Sequence, residues 1–163
     1  EQKCTRDIGK FLQFIAEDYV ISFLKEVCNI DCAGVSNDIN GNEPTWDVIT
    51  HNGIRIQVKY RGGKQSGRPK LFLETTRRNS QKNAGAKGAS GHVAYGSDEF
   101  DVAVFVVPTE TFDYKTTKGL HVIAIPAKEL VNPLHPSILL KNVPAKIIDK
   151  YHRNAKEVLC NLE

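Results

Sequence analysis

The sequence predicts an α/β fold, a central mixed β-sheet flanked by helices. Three observations carry that expectation. Apolar residues recur at three- and four-residue spacing through the opening stretch. Two β-prone runs then flank an Asn-Gly pair, and a near-continuous apolar run follows later in the chain. The first pattern marks an amphipathic helix, the second a tight hairpin, and the third a strand covered on both faces. A chain of 163 residues suits one domain, taken here as 1–163.

Ile8, Phe11, Leu12, Ile15, Tyr19, Phe23 and Val27 define the helix, about five turns by the helical repeat. Thr5 or Asp7 is the expected cap. Asn29 to Asn42 is rich in Asn, Asp and Gly and reads as loop, with a short strand around Ala33 to Val35. Trp46–Thr50 and Ile54–Tyr60 are the hairpin strands, joined by His51-Asn52-Gly53. Side chains alternate across a strand, so Ile54, Ile56 and Val58 share one face and Arg55, Gln57 and Lys59 the other. Arg61 to Arg68 reads as a Gly-rich basic loop, and Leu71 to Thr75 as a third short strand. Thr76 to Ala94 is polar and Gly-containing. Asp101–Val107 and His121–Ile125 are further strands, Pro126–Leu130 begins a short helix, and Pro144–Leu159 is a closing amphipathic helix. No internal repeat is visible.

Composition narrows the function classes. No run of ~18 apolar residues is present, so no membrane span is expected. The first ten residues are polar and lack the apolar core of a signal peptide. Met is absent, so the sequence is read as processed or cut from something longer. Cys4, Cys28, Cys32 and Cys160 lack the paired spacing of a structural zinc site. They are expected as free thiols in a reducing cytoplasm. Charge is segregated. Between His51 and Ser97 ten basic residues face one acid, a balance of +9, while the rest of the chain carries −6. A one-sided basic segment with Gly, Ser and Asn between its charges suits a phosphate backbone.

The hairpin concentrates the chemistry. Asp47 lies near the start of one strand, and Gln57 and Lys59 lie on one face of its antiparallel partner. Asp47 is therefore expected to approach Gln57 across the ladder. A carboxylate and an amide carbonyl are hard oxygen ligands for a divalent cation such as Mg²⁺. Lys59 can orient or activate a water, or stabilise charge on a phosphate oxygen. Metal-assisted phosphodiester hydrolysis uses all three.

Asp47, nine residues, then Gln57-Val58-Lys59 resembles the motif of the PD-(D/E)XK, or restriction-endonuclease-like, nuclease superfamily. Trp46 rather than Pro precedes Asp47, and Gln57 stands where the second acid is usual, as in some restriction, homing and modification-dependent members. The resemblance spans Gly9 to about Val107. It implies a restriction-endonuclease-like core, and a further acidic ligand, Glu17, on the preceding helix. It also implies an Mg²⁺-dependent endonuclease for double-stranded DNA, of restriction or homing type. A Holliday-junction resolvase or repair nuclease is the rival within the class. A non-catalytic DNA-binding module with a decayed site, or a purely structural α/β domain, is the rival outside it. Arg61, Lys64, Arg68, Arg77, Arg78 and Lys82 are the candidate DNA contacts, with His92 and Tyr95 beside them. The segment from Arg61 to Lys87 is expected to order along DNA, hinged at Gly62, Gly63, Ser66, Gly67, Ser80 and Gly85. Cutting two strands with one site per chain implies a homodimer or larger assembly.

Overall fold

The computed structural model describes residues 2–35, 46–73, 94–113 and 115–162. Helix α1 (Gln2–Ser22) runs into a π-helical turn, Phe23–Val27. Strands β1 (Cys32–Gly34), β2 (Val48–Thr50) and β3 (Arg55–Tyr60) follow as an antiparallel meander. Two short strands, β4 (Lys64–Gln65) and β5 (Arg68–Pro69), form a separate hairpin. Strand β6 (Val102–Asp113) pairs parallel with β3, and β7 (Lys118–Pro126) returns antiparallel to β6. A 3-10 turn (Ala127–Leu130) and helices α2 (Ala145–Tyr151) and α3 (Ala155–Leu159) complete the described chain. The sheet order is β1-β2-β3-β6-β7. The fold is thus α/β, with a mixed sheet flanked by helices, as the sequence predicts.

Each sheet face has its own core. Ala16 and Val20 from α1, Leu24 from the π-helical turn and Leu159 from α3 pack on Val48, Ile56, Val58, Val102, Val104 and Val106. On the other face Ala103, Phe105, Ile123 and Ile125 meet Leu71, Tyr95 and Phe100, with Ile148 and Tyr151 of α2. Strand β6 is buried from Val102 through Val107. That two-sided cover is why its sequence shows an apolar run rather than alternation. Each fully buried side chain of this kind contributes about 1.5–3 kcal/mol.

Several expectations change. Helix α1 begins at Gln2, so Thr5 and Asp7 lie within it rather than at its start. The Arg61–Arg68 loop holds the β4–β5 hairpin, turned at Ser66 and Gly67, both at positive φ (52° and 77°). Two successive positive-φ residues fit a two-residue hairpin turn. Leu71 to Leu73 does not join the sheet. Phe72 makes an isolated bridge to Asn142, Leu73 N–H donates to Lys141 O and Val143 N–H donates to Leu71 O. Glu74 and Thr75 lie outside the described residues. The closing helix is broken between Tyr151 and Ala155. Helix α2 faces one core and α3 the other, and a straight helix cannot cover both faces of one sheet.

Cys28 and Cys160 form a disulfide, Cα–Cα 4.6 Å, across 132 residues of sequence. This corrects the expectation of free thiols for that pair. Cys28 ends the π-helical turn and Cys160 ends α3, and no sequence spacing announces that they meet. Cys32 is free and buried. A cross-link over so long a loop constrains the unfolded chain, typically by 2–4 kcal/mol. Oxidised Cys160→Ser protein is expected to lose about that much stability in denaturant titration. Reduced parent protein should fall to the same level. An unchanged midpoint would show that the bond contributes nothing. Among the described residues, no helix is long and apolar enough to cross a membrane.

Candidate active site

The site forms where β2 runs out. Strand β2 has three residues and β3 has six. Val48 pairs with Ile56, so beyond Ile56 the edge of β3 outruns its neighbour. Peptide groups in such a place need partners, and side chains supply them. Asp47 Oδ2 accepts from Val58 N–H at 2.9 Å. Gln13, on α1, donates through Nε2 to Val58 O at 2.8 Å and accepts Tyr60 N–H on Oε1 at 3.0 Å. The backbone demand of one strand edge thus draws in a residue from the end of β2 and another from the helix.

The same register sets Asp47 opposite Gln57. Gln57 Nε2 donates to Asp47 Oδ2 at 2.9 Å, and Asp47 N–H donates to Ile56 O at 2.8 Å. Gln57 is only 5% exposed, so its amide is fixed rather than solvated. The strand alternation holds: Ile56 and Val58 enter the core under α1. Lys59 lies over the other face, its Nζ 5.4 Å from the centroid of the Tyr95 ring. Burial, chiefly, holds the Lys59 ammonium below its ordinary pKa, and Arg61 adds to the effect. Asp47 and Glu17 oppose it, so both carboxylates are near enough to act on this lysine. Glu17 stands one helical turn after Gln13, whose Nε2 also donates to Glu17 Oε1 at 3.1 Å. The structure therefore brings Asp47 against Gln57, two residues before Lys59, and ties Glu17 to the same strand edge through Gln13.

Among the described residues, no three His, Cys, Asp or Glu side chains are grouped to hold a metal ion. The donor set at the strand end is different in kind, two carboxylates and one amide. Asp47 Oδ2 receives two N–H donors, which suits an ionised carboxylate. Gln57 aims its nitrogen at Asp47, leaving Oε1 as the amide's only ligating atom. Oxygen donors of this type fit a hard divalent cation.

The candidate DNA contacts divide. The Arg61 guanidinium donates to Phe72 O and Tyr60 O and stacks at 3.9 Å on the Phe72 ring. It ties the end of β3 to the segment after β5. Arg68 makes a two-bond ion pair with Asp149 of α2, at 2.8 and 3.0 Å. Lys64 is exposed on β4. Arg77, Arg78, Lys82 and His92 lie outside the described residues. Tyr95 is 6% exposed and packs edge-on against Phe100, so it belongs to the core beneath Lys59 rather than to an open surface. Asp101 binds Arg55 through its side chain and its backbone N–H. Burial pushes the Asp101 carboxyl up, but these bonds outweigh it and hold the group below the usual carboxylate range.

Gln13 escapes the sequence reading. Its signal is a lone amide beside Leu12, Ile15 and Ala16, four residues before Glu17. A polar residue on the inward stripe of an amphipathic helix needs a buried partner, and here the partner is a strand edge. The chain matches no protein-family model and no curated protein.

Proposed function

We propose that this chain is a metal-dependent endonuclease that hydrolyses phosphodiester bonds of double-stranded DNA. One observation carries the reading: Asp47 meets Gln57 at 2.9 Å just before β2, Lys59 follows Gln57 by two residues, and Gln13 ties Glu17 to the same strand edge. The resemblance to PD-(D/E)XK nucleases supports it, since the sheet sets the acid and the Gln-x-Lys on adjacent strands behind a leading helix. The core is accordingly read as restriction-endonuclease-like. Glu17, Asp47 and the Gln57 carbonyl would hold Mg²⁺, which polarises the scissile phosphate and lowers the pKa of water. Gln57 binds Asp47 and fixes its orientation. Lys59, desolvated beside two carboxylates, either takes a proton from the attacking water or stabilises charge on the phosphate. The basic segment after β3 neutralises the DNA backbone, and two copies cut the two strands. A cytoplasmic location is proposed along with the DNA substrate; the Cys28–Cys160 bond, of a kind that persists in oxidising compartments, argues the other way.

A second reading has one observation in its favour. Asp47 Oδ2 already serves Val58 N–H and Gln57, as it would in a DNA-binding module whose site only closes a strand edge. Long DNA incubated with Mg²⁺, with an EDTA control, separates the two. Metal-dependent fragments are expected, and sequencing their ends gives the specificity. Cleavage confined to branched junctions would instead identify a resolvase, and intact DNA would leave only the binding module.

Salt tests the DNA partner. Affinity should fall with a log–log slope of roughly −0.9 per phosphate neutralised. Replacing Arg77 and Arg78 with Ala should flatten that slope by about two if both meet phosphates, or relax sequence preference if they read bases. An unchanged slope with unchanged preference would place the DNA elsewhere on the protein.

A further inference from the structure

We infer that Gln13 is a positioning residue for this site, setting where Glu17 stands over the catalytic strand. The inference rests on the metal-dependent reading above, but its structural half can be tested without it. The Gln13 amide stands in for the peptide group that a longer β2 would have offered. Its nitrogen donates to Val58 O and its oxygen accepts Tyr60 N–H, so both ends are fixed on β3. The amide nitrogen carries two hydrogens, and the second goes to Glu17 Oε1 at 3.1 Å. Val58 and Tyr60 flank Lys59 in the chain, and Gln57 precedes Val58. One side chain therefore ties the backbone on both sides of Lys59 to a carboxylate that acts on Lys59 electrostatically.

Direction follows from the donor count. An amide that spends one hydrogen on a strand carbonyl presents the other along a fixed line. The Glu17 carboxylate accepts along that line instead of extending freely into water. Supporting hydrogen bonds of this kind typically change metal affinity by 10–100-fold when removed. Ala16 and Val20, on either side of Glu17, are fully buried under the sheet, so the helix backbone is held independently of Gln13. Losing the amide should release the Glu17 side chain without unseating α1.

Two variants separate the parts. Gln13→Met keeps length and removes all three bonds. Gln13→Glu keeps an acceptor for Tyr60 N–H and removes both donated bonds. Amide exchange by NMR reads the strand edge. Tyr60 N–H should exchange at least about tenfold faster in Gln13→Met and near the parent rate in Gln13→Glu, with thermal melting showing both folded. Mn²⁺ binding without DNA, read by electron paramagnetic resonance, tests the positioning. Gln13→Met should weaken Mn²⁺ about tenfold, close to Glu17→Gln, and the double variant should be no weaker than Glu17→Gln alone. Unchanged Tyr60 exchange in Gln13→Met, or full additivity in Mn²⁺ affinity, would overturn the assignment. A parent protein that binds no Mn²⁺ but shows the exchange pattern would sink the metal-dependent reading and the positioning of Glu17 as a ligand, leaving Gln13 as an edge cap only.

Discussion

Lys59→Ala protein should cut no DNA yet bind it within a few-fold of the parent. The two halves of that result have separate causes. On the proposed reading, binding would draw on a segment with ten basic residues, and removing one charge would shift the phosphate term modestly. Cleavage would draw on a single amine two residues from Gln57, desolvated and lying over the Tyr95 ring. A positioned general base or charge stabiliser contributes typically 10²–10⁴-fold, and a loss of that size removes visible cutting. Lys59→Arg then sorts the roles. Arginine keeps the charge but cannot give up its proton at working pH. Retained cutting would assign charge stabilisation, and complete loss would assign proton transfer. The lowered pKa makes a second forecast. The folded chain releases this proton more readily than the unfolded chain, so the site costs stability below the folded pKa. That cost is relieved as pH rises through it toward the ordinary lysine value. Lys59→Met should therefore melt at or above the parent temperature at neutral pH, as happens where a site trades stability for function. Normal cleavage by pure Lys59→Ala protein would end the active-site assignment.

How much of this was legible in the sequence follows from the range of the forces involved. The β2–β3 hairpin and the division of Ile56 and Val58 from Gln57 and Lys59 are local consequences of alternation and an Asn-Gly turn. The contact of Asp47 with Gln57 follows from that register. The Cys28–Cys160 bond and the Arg68–Asp149 pair are not local, spanning 132 and 81 residues. They depend on where α2 and α3 settle after the chain crosses the end of the sheet. The break between those helices was hidden because Ile147, Ile148, Tyr151 and Leu159 look periodic in one dimension. Only the two-faced sheet shows that they serve different cores. Charge alone marks Arg61 as a candidate DNA contact; that its guanidinium also binds the carbonyls of Tyr60 and Phe72 is not legible in the sequence, because the chain doubles back through the β4–β5 hairpin. Gln13 was missed for the complementary reason: nothing in a sequence says where a strand will outrun its neighbour.

Asp47→Asn should abolish metal-dependent cleavage while Gln57→Glu retains part of it, and the contrast isolates what each oxygen does. Asparagine keeps an oxygen that can accept Val58 N–H, so the strand edge survives in part. Its oxygen can take the place of Oδ2 and accept both Val58 N–H and the Gln57 amide, but the ligand charge is lost and an N–H₂ group replaces Oδ1. Asp47→Asn protein is therefore expected to stay folded but be inactive, and added Mg²⁺ should not restore it. Gln57→Glu reverses the balance. The amide bond to Asp47 is replaced by two facing carboxylates, which repel or share a proton until a cation sits between them. Without metal this variant should melt below the parent, and with Mg²⁺ it should gain more stability than the parent does. Ligand binding to the folded state alone raises stability by RT ln(1 + L/Kd) at free ligand concentration L, so the tighter site gains more at the same Mg²⁺ concentration. Melting curves with and without Mg²⁺, beside a cleavage assay, read all of these effects together. If Asp47→Asn cuts at the parent rate, or if Mg²⁺ leaves the melting of Gln57→Glu unmoved, the end of β2 is not where the metal binds.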